Sequence, residues 1–157
     1  MKGKAAHVVL ICVDGMLPAY YLDKNWPAPA MQQLYREGAH AVAVKSVFPA
    51  LTYPAHTTLA TGALPARHGI VHNKEFKPVA DPPWVKDASL IRVPALWDAV
   101  RAQGGKTASV LWPLTCGAAI NWNLPEIWPG GEGSLVGAAT TRRTDCLKSS
   151  RRRRPAD

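Results

Sequence analysis

Apolar positions in the first third of the chain fall into two runs separated by a helical stretch. Residues 7–13 are nearly continuously aliphatic or β-branched and stop abruptly at Asp14-Gly15. Such a run predicts a strand buried on both faces of a parallel sheet. Pro27 to Glu37 collects helix formers with Met31, Leu34 and Tyr35, and Gly38 follows where a helix cap belongs. Ala39 to Val47 alternates, predicting a second strand with Val42, Val44 and Val47 available for burial.

The pattern then changes period. Ala55 to Ala60 reads as a helix, with Pro54 suited to its first turn. From Gly62 to Val93 the chain is rich in Pro, His, Lys and Asp, and predicts an irregular excursion of a length that usually serves function or is disordered. Pro94 to Gln103 predicts a helix with Leu96, Trp97 and Val100 on one face, closed by Gly104-Gly105; Thr107 to Trp112 predicts a strand. The order β-α-β-α-loop-α-β is that of an α/β fold, a parallel sheet flanked by helices.

Charge adds a tail to this picture. The net charge is +8, but Arg142, Arg143, Lys148 and Arg151 to Arg154 against Asp145 and Asp157 place +5 of it after residue 141. The remainder is unremarkable, so basicity says little about the folded part. Pro129-Gly-Gly-Glu-Gly-Ser and the residues after it lack a sustained apolar period, and residues 130–157 are predicted to be a disordered basic tail. Its four-arginine cluster would attract phosphates without specificity; no specific nucleic-acid binding is expected.

Cysteine usage and apolar run lengths exclude other classes. Cys12 lies in the first apolar run and is expected to be buried; Cys116 and Cys146 show no metal-ligand spacing, and no disulfide framework is expected. No run approaches the roughly 20 apolar residues that span a bilayer. The short run after Met1-Lys-Gly-Lys ends at Asp14 without a cleavage-site pattern, so it reads as a strand and no signal peptide is expected.

Two residues stand out chemically. Asp14, after an apolar strand, would put a carboxylate at the sheet edge where open α/β sheets bind ligands, although Asp-Gly is also a common turn pair. Thr52 lies at or just before a helix start, where it is either an N-cap or a hydroxyl facing an anion. A threonine hydroxyl becomes a useful nucleophile only when a metal or base activates it.

Val8 to Gly15, Phe48 to Gly62 and Pro65-Ala-Arg-His-Gly-Ile-Val-His-Asn73, with Leu111-Trp-Pro113 and Asn121 to Trp128, resemble the type I phosphodiesterase/nucleotide pyrophosphatase family of the alkaline phosphatase superfamily. The resemblance runs from about residue 7 to about 128. It implies the amino-terminal part of an alkaline-phosphatase-like parallel sheet, a partial catalytic domain over residues 1–129. It also implies a two-zinc hydrolase of phosphodiesters and pyrophosphates acting on nucleotides or related diesters. Asp14 would be a zinc ligand, and Thr52 both a ligand of that zinc and the nucleophile. Asn73, with the backbone amide after Thr52, would hold a phosphoryl oxygen, and Tyr53 would stack on a base. His56, His68 and His72 match no family ligand. Trp122 and Trp128 are candidates for pocket lining.

The family's remaining aspartate and histidine ligands fall later than the strand at Thr107–Trp112. Here Asp145 is the one aspartate between Trp128 and the terminus, and no histidine follows His72. At most one partial zinc site is therefore expected, since zinc normally takes four ligands. The tail's composition is what a frameshift or truncated reading frame produces. The expectations are an unstable, truncated and inactive chain, an inert fragment or subunit completed elsewhere, or another phosphoryl hydrolase of the superfamily. Full-length relatives are often periplasmic or secreted; the compartment stays open.

Overall fold

The computed structural model describes residues 5–126. The chain divides into two compact units, Met1–Lys45 and Ser46–Asp157. The expected basic tail lies outside the described residues, as does Trp128.

The first unit holds two helices, α1 (Ala19–Leu22) and α2 (Pro29–Glu37). Pro29 opens α2, where its fixed φ and missing N–H are harmless, and Gly38 closes it with its N–H on the Leu34 carbonyl. Tyr21 and Tyr35 meet with ring centroids 6.3 Å apart, and Tyr35 and His40 at 3.9 Å. Gln32 ties the loop between the helices through Nε2 to the carbonyl of Trp26, 3.2 Å away. The helix expected over 27–37 is thus present, starting two residues later.

Neither strand expected in this unit is formed. Residues 7–13 and 39–47 carry no strand assignment. Val8 is 86% exposed and Val42 95%, so the apolar side chains expected in a core face outward. Cys12, expected to be buried, is an exposed free thiol. The reason is physical: an apolar run becomes a strand only when a neighbour accepts its N–H and C=O groups and covers its side chains. None of the backbone hydrogen bonds among the described residues includes residues 7–13.

In the second unit, α3 (Thr52–Thr61) is followed by the short helix α4 (Pro65–His68) and, after a long loop, by α5 (Leu96–Ala102). Two three-residue strands close the order, β1 (Ala108–Val110) and β2 (Trp122–Leu124). They pair in parallel, with Ala108 opposite Trp122 and Val110 opposite Leu124. The fold is thus α/β with parallel pairing, reduced among the described residues to one short two-stranded sheet. β1 lies within the expected strand; β2 was not foreseen.

Capping explains the helix ends. Gly62 and Gly69 end α3 and α4 at φ +66° and +83°, conformations that cost other residues about 1 kcal/mol or more. The Asp98 carboxylate accepts from the Ala95 N–H at 2.9 Å and fixes the start of α5.

The core of this unit is made by the irregular excursion itself. Tyr53, Ile70, Val85 and Leu114 are buried together, with Trp84, Leu90 and Ile91 packed against them. Five of these seven, Ile70, Trp84, Val85, Leu90 and Ile91, lie within the stretch predicted as an irregular excursion. Backbone bonds anchor it: the Val85 N–H donates to Asn73 O at 2.9 Å, and the Arg92 N–H to His68 O at 3.1 Å. Cys116 is also buried and is disulfide-bonded, contrary to expectation.

Candidate active site at the start of α3

Thr52 is the first residue of α3, and the N-cap is Leu51, whose side chain makes no capping bond. Thr52 therefore does not serve as the N-cap. The turn is tied instead from outside the helix. The Tyr53 N–H donates to Asn73 Oδ1 at 2.9 Å, across twenty residues of chain. Its amide oxygen spent in this way, Asn73 presents its amino group as the donor for another partner. The backbone amide that the resemblance assigns to a phosphoryl oxygen is thus held by Asn73 in this structure.

Tyr53 itself is 1% exposed, with its ring centroid 5.4 Å from that of Trp84. The ring is a core anchor here and offers no open face to a base. Its carbonyl accepts from Thr57 Oγ1 at 2.7 Å, and Thr61 Oγ1 donates to the Thr57 carbonyl at 2.7 Å. These bonds satisfy buried hydroxyls that α3 would otherwise leave unpaired.

Two histidines are bound into this helix. His56 Nδ1 lies 2.7 Å from the Thr52 carbonyl oxygen, so this nitrogen carries the proton. The His56 ring packs edge-on to Trp112, with centroids 5.2 Å apart at 75°. His68 is fully buried. Its Nδ1 accepts from the Ile70 N–H at 3.1 Å, which leaves Nε2 to donate to Thr58 Oγ1 at 3.0 Å. Burial lowers the His68 pKa below its ordinary value, with a hydrogen bond to the Pro54 backbone acting the other way. His68 is a neutral structural clamp between α3 and α4. His72 caps its own loop by accepting from the Lys74 N–H at 3.0 Å.

Asp14 belongs to the first unit, in a turn with Gly15 at φ +66°. Partial shielding from water, and secondarily the Asp14 carboxylate, push the Cys12 thiol up. Among the described residues no three His, Cys, Asp or Glu side chains are grouped to hold a metal ion. The donors among the described residues of each unit do not fit a zinc centre by themselves.

Trp112 stands in an unusual stretch, between Leu111 and Leu114 at φ +55° and +56°. Leu114 is nonetheless fully buried. Trp122 is 62% exposed on β2, with Lys106 Nζ 5.8 Å from its ring centre. Sequence reasoning missed the parts played by His56, His68 and Trp84. For His56 a signal existed: position i+4 from Thr52 shares its helix face.

The type I phosphodiesterase / nucleotide pyrophosphatase family model matches residues 8–149. The chain belongs to this family. The match passes residue 129, where composition places the end of family-like sequence. A venom phosphodiesterase of Crotalus durissus collilineatus is 30% identical over 149 residues, covering 90% of this chain and 17% of its own length. Ectonucleotide pyrophosphatase/phosphodiesterase family member 3 of Rattus norvegicus is 30% identical, covering 82% of this chain and 15% of its own length. The chain thus spans less than a fifth of these relatives. In structure, it is similar to murine ectonucleotide pyrophosphatase/phosphodiesterase 5 with a TM-score of 0.50 and 25% identity, over 74% of this chain and 33% of that one.

Proposed function

We propose that these residues are the nucleophile-bearing part of a hydrolase of phosphodiesters and pyrophosphates, with nucleotides or related diesters as substrates. Thr52 is the nucleophile: its Oγ gives its proton to solvent and attacks phosphorus, the bond to the leaving alcohol or phosphate breaks as that oxygen takes up a proton, and water then cleaves the Oγ–P bond and restores the hydroxyl. Asn73 steadies charge on a non-bridging oxygen through its amino group, a form of transition-state stabilisation that often dominates such catalysis. Asp14 and Thr52 would each offer an oxygen donor to zinc. Zinc, if held there with further ligands, would supply Lewis-acid activation of the hydroxyl.

The observation that carries this reading is the bond from the Tyr53 N–H to Asn73 Oδ1, which brings Asn73 to the Thr52 turn. Two donors are too few for zinc, so these residues alone are proposed to be catalytically inert until further ligands are supplied. Metal analysis and hydrolysis of bis-p-nitrophenyl phosphate test both halves. Purified chain given zinc should retain less than one ion per molecule and turn over no faster than its Thr52→Ala variant. Turnover that Thr52→Ala leaves intact would remove Thr52 from the chemistry. Thr52-dependent turnover would show that the chain completes its own centre.

A further inference from the structure

We propose that His56 is a positioning residue for the Thr52 turn, holding it to the segment around Trp112 through a fixed imidazole tautomer. The inference rests on the reading of Thr52 as the nucleophile. The Thr52 carbonyl can only accept, so the 2.7 Å contact requires the proton on His56 Nδ1. Free imidazole has no such obligation. Leu51 gives no side-chain cap, so the first-turn Tyr53 N–H finds its acceptor outside the helix, on Asn73.

Three contacts then converge on one turn. Asn73 holds the Tyr53 N–H from one side. His56 holds the Thr52 carbonyl from within the helix, and the His56 ring is itself held edge-on by Trp112. The Trp112 segment is anchored two residues on by Leu114, which is fully buried in the core. His56 thus transmits the placement of that segment to the residue bearing the hydroxyl. It need touch no substrate to do so.

The chain contains its own precedent for a conservative replacement. Gln103 Nε2 reaches the carbonyl four residues back, Ala99 O, at 3.2 Å. His56→Gln should therefore keep the bond to Thr52 O, whereas His56→Leu keeps bulk and loses the donor. Imidazole nitrogen NMR on the full chain should find His56 protonated at Nδ1. Amide exchange should show His56→Leu speeding Tyr53 and Ala55 about fivefold, the loss of one net hydrogen bond. Thr61, at the far end of α3, should be unchanged. His56→Gln, which regains the carbonyl bond but has no ring to meet Trp112, should recover both amides only in part, and Trp112→Leu should speed the same two amides. Protonation at Nε2 in the natural chain overturns the proposal even if the leucine variant fails to fold. Equal effects at Tyr53 and Thr61, or no rescue by glutamine, also overturn it. Zinc and turnover do not enter this test, so failure of the nucleophile reading would be seen separately.

Discussion

The two units use their apolar residues in opposite ways. Residues 8–13 include Val8, Val9, Leu10, Ile11 and Val13, all exposed. The second unit, with fewer contiguous apolar residues, buries Tyr53, Ile70, Val85 and Leu114 in one cluster. The difference lies in how each group of residues can be satisfied locally. Helix α3 meets its own backbone groups, and the loop from Ile70 to Ile91 folds over it with anchored turns. A strand meets nothing alone, since its N–H and C=O groups await neighbours. Hydrophobicity thus marks candidates for burial, and hydrogen-bond closure decides which are buried.

The sharpest way to break this comparison is to truncate one side chain in each unit. Leu114→Ala removes a fully buried side chain and should destabilise by about 2–5 kcal/mol, the cost of lost burial plus a cavity. Val8→Ala removes a mostly exposed one and should stay within about 0.5 kcal/mol. Chemical denaturation followed by far-ultraviolet circular dichroism, which sums over both units, reads both. Equal losses would mean that the first apolar run is packed after all.

A smaller effect should appear with pH. His68 is buried neutral, and its folded-state pKa is lowered by burial. The unfolded chain then binds a proton more readily, so stability is full above about 6.5 and falls as pH drops through that value. Repeating the denaturation from pH 8 to pH 5 should show a decline that His68→Gln removes. A decline that survives the substitution would place its origin in another group.

How legible was this from the sequence? Helices α2, α3 and α5 were, because each carries its own punctuation in Gly38, Pro54 and Gly104-Gly105. The strand at Ala108–Val110 was also readable from its β-branched flank. The strands expected at residues 7–13 and 39–47 were not realised, because ladder partners are a non-local property. The Thr52 turn could be located from its motif, and Asn73 assigned a role by family resemblance. The form of their link could not: that Asn73 spends its oxygen on the Tyr53 N–H is a fact of geometry. The same holds for Tyr53, an aromatic beside a nucleophile that reads as a stacking platform but lies in the core against Trp84. Histidines near Gly and Pro read as loop residues, whereas His56 and His68 are buried ties of α3.

Amide hydrogen exchange on the natural chain and on Asn73→Ala tests most directly that Asn73 holds the threonine turn of the second unit. The Tyr53 amide should exchange slowly, near the rate of Ala60, while residues 8–13 exchange at close to the unstructured rate. In Asn73→Ala the Tyr53 protection should vanish and that of Ala60 should remain. A Tyr53 amide that exchanges as fast as residues 8–13 in the natural chain would contradict the account.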